Sequence, residues 1–286
     1  MITSNRAKAF TLIELIVVIG ILALLLGLVV PMIIRASRNA ERSRALADLN
    51  AIAAALEAYK QDHGDYPRIL PGDPNRDTGK ALYAADNTSP NRAGARLLAW
   101  ALIGFGNEGS DGADGPGFRT RGAPMKSQVY GPYLRVDQFT VSYNNNPPAA
   151  WATDRVIGLD AELLDRSGRP ILYFPASLTR PNIRNGPNPP GFVGNSTTPA
   201  EAIRSLYNFA DNSEIFGTTR LSHFRIMLGD RNYNGYIDDR ETPAFEGPYL
   251  LWTAGPDGLF GPAVDNPADI RQSHIDETDD VTNFRQ

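Results

Sequence analysis

The 286-residue chain carries 28 Lys and Arg against 32 Asp and Glu, a net charge of −4, and no cysteine. The acidic balance argues against a nucleic-acid-binding body, and the missing thiols exclude disulfides and thiolate metal sites. With 26 glycines and 22 prolines, together about 17% of the chain against an ordinary ~12%, the sequence predicts a body rich in loops.

From Phe10 to Ile34 run 25 residues that are apolar, small or hydroxylic except for Glu14. That length suffices for a hydrocarbon core needing roughly 20 apolar residues, and it exceeds the 7–15-residue core of a secretory signal peptide. An ionisable residue in such a segment costs roughly 2.5–3.5 kcal/mol at the helix centre, less near an end, and is by default a functional-site candidate. The other reading of Glu14 is a carboxylate reaching the headgroups. Arg6 and Lys8 precede the span and Arg35, Arg38, Arg42 and Arg44 follow it. By the positive-inside rule that count favours an outward amino terminus.

Past the span, Leu46, Leu49, Ile52, Ala53, Leu56 and Tyr59 recur at helical spacing with charges between them. Gly64 and the pair Tyr66-Pro67 supply the stop. The two segments predict one helix from Phe10 to about Asp62, roughly 80 Å at 1.5 Å per residue. "PGDPNRDTGK", "NTSPNRAG" and "PNIRNGPNPPGFVGNSTTP" read as loop, and "ARLLAWALIGFG" (95–106) as a short helix. A G-x-G-x-x-G match at Gly104, Gly106 and Gly109 has no helix pattern behind it, so the phosphate cradle is missing and a flexible loop is expected. "LYFP" after a turn at "DRSGRP", then "HFRIML", "PYLLWTAG" and "DDVTNF", read as strands.

The last 57 residues, from Asp230, hold 12 Asp and Glu against 4 Arg. Within them "DRNYNGYIDDRE" fits D-x-[DN]-x-[DN]-G-x5-E over its whole length. Asp230, Asn232 and Asn234 alternate so that their oxygens converge. Gly235 permits the turn, Tyr236 offers a carbonyl, Asp238 adds a carboxylate and Glu241 closes the shell. These are hard oxygens suited to calcium; the other reading is an Asx-rich turn. His63, His223 and His274 sit in no catalytic constellation, His63 reads as a surface residue, and no enzymatic activity is expected.

"KAFTLIEL" resembles the processing site of type IV pilin-like proteins, in which glycine usually stands where Ala9 is found. The resemblance implies a leader, residues 1–9, removed by a prepilin peptidase between Ala9 and Phe10, with Phe10 then N-methylated. It also implies that Glu14 meets the terminal amine of a neighbouring subunit, that Pro31 is the helix proline of the family, and that the leader stays cytoplasmic. "ALEAYKQDHGDYP" is similar to the major pseudopilin of type II secretion. "GPDGLFG", bracketed by "PYLLWTAG" and "DDVTNF", resembles that family's terminal calcium loop and implies a second cation site pairing Asp257 with Asp279 or Asp280. The likeness covers residues 9–67 closely and about 160–286 loosely.

The expected architecture is α+β. A leader (1–9) precedes a transmembrane and filament-core helix (10–34) and an amphipathic stalk (35–66). The stalk packs on a small antiparallel sheet in a loop-rich head (67–286) outside the cytoplasm. The expected function is a structural subunit of a short helical filament driving type II secretion. It would be anchored once in the inner membrane and would partner other pseudopilins and the secretion platform. The alternatives are a minor type IV pilus subunit for adhesion or uptake, and a membrane-anchored binding protein of unrelated role.

Overall fold

The computed structural model describes residues 12–68, 92–106, 115–116, 118–119, 129–143, 161–176, 206–232, 234–238 and 240–284. The leader, Ala9, Phe10, Gly109 and the expected loops at 71–80, 87–94 (in its first five residues) and 181–199 lie outside them. The chain divides into two compact units, residues 1–43 and 44–286.

Helix α1 runs Leu12–His63, 52 residues, with Pro31 inside it. The sequence predicts this length, and the stop is the expected one: Gly64 at φ 82° donates its N–H to Lys60 O at 2.7 Å. Proline costs the helix the i→i−4 bond to the carbonyl of Gly27. In the first unit every large apolar side chain from Leu12 to Ile34 is exposed, from 45% at Val29 to 76% at Leu12. This segment alone among the described residues is long and apolar enough to cross a membrane.

In the second unit α1 buries Leu49, Ile52, Ala55 and Leu56, the amphipathic stripe expected there. Helix α2 (Ala93–Ile103) follows. β1 (Thr140–Tyr143) pairs antiparallel with β2 (Ala161–Leu164), and Ile171 N donates back to Leu163 O. β3 (Leu172–Pro175) lies beside β4 (Tyr249–Thr253) and β4 beside β5 (Val281–Thr282), all antiparallel. Between β3 and β4 come the short helix α3 (Ser213–Phe216) and α4 (Leu221–Leu228).

β3 and β4 are buried along their whole length, because both faces of the sheet are covered. Tyr173, Tyr249, Leu251 and Val281 pack with α1 and α2. Leu172, Phe174, Leu250 and Trp252 face a second core of Phe209, Phe216, Phe224 and Phe260. A doubly buried strand shows as an unbroken apolar run, not an alternating one, which is how "LYFP" and "YLLWT" read. α2 approaches β3 so closely that a Cβ at Gly94 would stand 2.1 Å from Tyr173 O. Asn212 stitches the crossing: its Oδ1 accepts from Ala95 N and its Nδ2 donates to Tyr173 O.

One expected strand is a helix. "HFRIML" lies inside α4, which buries His223, Phe224, Ile226, Met227 and Leu228 and ends on Gly229 at φ 118°. A six-residue run with four apolar positions is too short for its period to separate a buried strand from a buried helix. His63 is partly exposed and stacks on Tyr59 with ring centroids 4.3 Å apart. The Tyr133 hydroxyl donates to Asp62 Oδ2 at 2.8 Å and stands 3.2 Å from His63 Nε2.

Burial lowers the pKa of both His63 and His223, against the opposing pull of Asp62 on the first and of the Val264 carbonyl on the second. A base whose folded pKa is depressed contributes stability that is complete above its unfolded pKa of about 6.5 and is lost as pH falls through the window below. The melting temperature should therefore drop on acidification from pH 7 towards 5. His223→Gln, which keeps a donor for Val264 O, should flatten part of that slope in a thermal-melt series. An unchanged slope refutes the assignment for His223.

Candidate functional site

Three features concentrate the chemistry: the start of α1, the loop after α4, and the loop between β4 and β5. At the first, Glu14 falls in the opening turn of α1, where a carboxylate complements the positive end of the helix dipole. It is the one ionised type among the described residues up to Ile34.

The second begins where Gly229 ends α4. Asp230 is fully buried and its Oδ2 accepts from Gly235 N at 2.9 Å. Asn232 Oδ1 accepts from Asn234 N and Asn234 Oδ1 from Tyr236 N. Glu241 Oε1 accepts from the N–H groups of Arg231 and Asn232, while its Oε2 takes that of Asp238. Asp238 Oδ1 accepts from Arg240 N and its Oδ2 from Asn232 Nδ2. Gly235 holds φ 87° and Ile237 is 1% exposed, so the loop turns and anchors as its pattern requires.

The arrangement departs from the expectation in one respect. No three His, Asp or Glu side chains among the described residues gather closely enough to hold a metal ion by themselves. The carboxylates of Asp230, Asp238 and Glu241 are instead directed at backbone amides. A calcium shell here would also draw on the Asn232 and Asn234 amide oxygens and the Tyr236 carbonyl. The Arg225 guanidinium lies against Gly235, and burial depresses its pKa while Asp230 supports its charge.

In the third, the chain crosses itself tightly: a Cβ at Gly255 would stand 2.5 Å from Asp279 O. Asp257 N donates to Asp279 Oδ2 at 2.9 Å, and Leu259 N to Asp257 Oδ1 at 2.7 Å. Of the two alternatives for a partner to Asp257, Asp279 is the one in contact. Asp280 turns beneath the loop, 6% exposed, with Oδ2 accepting from Gly261 N at 2.6 Å. Its buried Oδ1 has no partner within hydrogen-bond distance, and the Trp252 indole N–H, likewise without one, stands close enough to favour the charged carboxylate. Burial pushes the Asp280 carboxyl well above the usual range, against the pull of Gly261 N–H and Trp252. The Asp279 carboxyl is raised too, first by burial and then by the charge of Asp257.

Sequence reasoning missed the cations around these acids. Arg220 Nη2 donates to Pro262 O at 2.6 Å, and its charge is supported by Asp280, Asp257 and Asp265. Arg92 makes a bidentate pair with Glu162 at 2.6 and 2.7 Å and reaches Glu214 at 3.2 Å, with Arg96 3.6 Å from Glu162. Glu162 is 1% exposed, and its partner Arg92 lies 70 residues away. The one local signal was a charged residue inside the apolar run of β2.

An exposed apolar helix carries a single carboxylate in its first turn. Residues 4–30 match the family model for the prokaryotic N-terminal methylation motif. The chain is similar to the type II secretion system core protein G of Klebsiella pneumoniae, with 44% identity over 87 residues, 30% of this chain and 58% of that protein. It is also similar to the proteins of that name from Pseudomonas aeruginosa (46% over 68 residues, 24% and 48%) and Escherichia coli K12 (37% over 72 residues, 25% and 50%). The chain thus spans about half the length of the curated relatives it matches. No solved structure matches it.

Proposed function

We propose that this chain is a filament-building subunit of type II secretion, of the kind its core protein G relatives represent, with an enlarged head. The observation that carries the reading is Glu14 in the first turn of an otherwise apolar, exposed helix, behind a matched methylation motif. The span anchors the subunit once in the inner membrane with the leader cytoplasmic. A prepilin peptidase removes residues 1–9. The new ammonium at Phe10 and the Glu14 carboxylate are both costly in lipid, and they neutralise one another only between stacked subunits. Such head-to-tail contacts are heterologous and propagate as a helix instead of closing into a ring. The work is mechanical, with no catalytic step. Other pseudopilins and the inner-membrane secretion platform are its partners.

Calcium belongs to the same reading. In the tail, Asp257 and Asp279 meet and the buried Oδ1 of Asp280 has no hydrogen-bond partner, an arrangement that a divalent cation relieves. Asp257 and Asp279 would hold it. In the loop after α4, Asp230, Asn232, Asn234, Tyr236, Asp238 and Glu241 supply the oxygen set that calcium takes. At either place the ion would supply charge neutralisation and fix the loop.

Processing tests the proposal directly. Intact-mass analysis of protein from the native host should give a chain beginning at Phe10 and carrying one added methyl group. A mass with residues 1–9 still attached overturns it.

A further inference from the structure

Four arginines follow the apolar segment, and the filament reading gives them no task. The positive-inside rule makes them conspicuous, since they outnumber the bases before the span. Arg35, Arg38 and Arg42 are spaced three and four residues apart, so at ~100° per residue they fall within about 60° of arc on α1. Arg44 lies about 180° from Arg35 on the same count. All four are exposed, and among the described residues the three arginines of the stripe make no ion pair. The nearest carboxylate in sequence, Glu41, stands one turn from Arg38 but forms no ion pair with it; its Oε1 accepts from Ser37 Oγ at 3.5 Å.

Position and direction say what the stripe meets. Ile34 ends the apolar segment, so Arg35, Arg38 and Arg42 stand about 1.5, 6 and 12 Å beyond it along the axis. The headgroup layer of one leaflet is about 5–7 Å deep. Helical side chains lean towards the amino terminus, which here is towards the span, and a long arginine stem lies along apolar surface while its head stays at the polar boundary. A side chain that leans this way brings the guanidinium of Arg35 or Arg38 to the phosphate plane, with Arg42 at the outer limit of its reach, and the planar fork takes two phosphate oxygens.

We infer that Arg35, Arg38 and Arg42 form a binding stripe for the phosphate headgroups of anionic phospholipid. The inference rests on the reading of 12–34 as a membrane-inserted span. The stripe fixes the depth of α1 in the bilayer and holds the subunit there until it is drawn into an assembly, so it sets the cost of leaving the membrane. A basic residue near an anionic surface contributes about fivefold in binding. Three give a preference of about two orders of magnitude for anionic over neutral lipid, and salt screens it.

The full chain, reconstituted in vesicles of phosphatidylcholine alone or with roughly a third phosphatidylglycerol, tests this. Vesicle flotation first reports insertion. An uncharged arginine-directed dicarbonyl then labels each guanidinium, and mass spectrometry reads the sites against exposed Arg240 as reference. Labelling at Arg35, Arg38 and Arg42 should fall about fivefold or more in the anionic vesicles only, and should return in molar salt. Arg44 should change less. The triple variant Arg35→Gln/Arg38→Gln/Arg42→Gln should still float with both vesicles while losing the preference for the anionic ones. Equal labelling in the two compositions overturns the inference while leaving the span intact. Protection that appears in both and rises with protein density also overturns it, because another copy of the chain then covers the stripe. A chain that floats with neither vesicle fails at the span itself, and both readings fall.

Discussion

Glu14→Ala leaves the chain membrane-inserted and its head folded, but incorporation into the filament falls by two orders of magnitude or more. Removing a carboxylate from an apolar helix cannot cost insertion energy; on the insertion scale it recovers up to about 2.5–3.5 kcal/mol. Glu14 belongs to the first compact unit, residues 1–43, whereas the head's core is built from the second. The loss lies between subunits. On the proposed reading the ammonium at Phe10 and a neighbour's Glu14 share an apolar surrounding once stacked, and deleting one partner of a buried pair costs about 3–5 kcal/mol because the other is stranded. At about 1.4 kcal/mol per decade, that is roughly a hundred- to several-thousandfold in incorporation. Glu14→Gln separates charge from shape: it keeps the side chain's volume and should fail nearly as badly. Filament yield, scored by shearing and immunoblot against membrane-fraction protein, is the measurement. Normal yield from either variant removes Glu14 from assembly and leaves it a headgroup-facing carboxylate.

What the sequence disclosed follows the range of the forces involved. α1 was legible because its determinants are local: an apolar run, a 3.6-residue stripe from Leu46 to Tyr59, and Gly64 where the backbone turns left-handed. β3 and β4 were legible because doubly buried strands leave short apolar blocks between turns. α4 was not, since "HFRIML" has the same look and its helical state is settled by packing against Trp252 and Phe216. The pairing of Arg92 with Glu162 joins residues far apart in sequence and leaves no pattern. The acidic loops fall between. Their turn chemistry, with Gly235 and Gly255 at positive φ and asparagines accepting from N–H two residues on, is local and readable. How the carboxylates are directed is not: Asp280 sits beneath its loop because β5 carries it under Gly261, a tertiary fact.

Calcium should raise the melting temperature of the chain, and the two acidic loops can be told apart by which substitutions remove the rise. A ligand bound only by the folded state stabilises it by RT ln(1 + [L]/Kd), about 2.7 kcal/mol at a hundredfold excess over Kd. For a head of this size each kcal/mol moves the midpoint by roughly 2–4 °C, so one filled site gives about 5–10 °C between millimolar calcium and chelator. Asp230→Ala with Glu241→Ala removes the two most buried carboxylates of the loop after α4 and abolishes its share. Asp257→Asn with Asp279→Asn acts on the tail with a crossed sign. In chelator the amides remove the buried charge of Asp279, and with it the lesser repulsion from Asp257, so the variant should melt higher than the parent; in calcium it should melt lower because the ion has lost its charge partners. That crossing is the signature of a cation site, since a purely structural acid pair would shift the two conditions together. If the tail variant alone loses the calcium response, the loop from Asp230 to Glu241 is an Asx-rich turn closed on its own amides. If the unaltered chain shows no shift at all, neither loop binds calcium, and the unpartnered Oδ1 of Asp280 is a plain cost of folding.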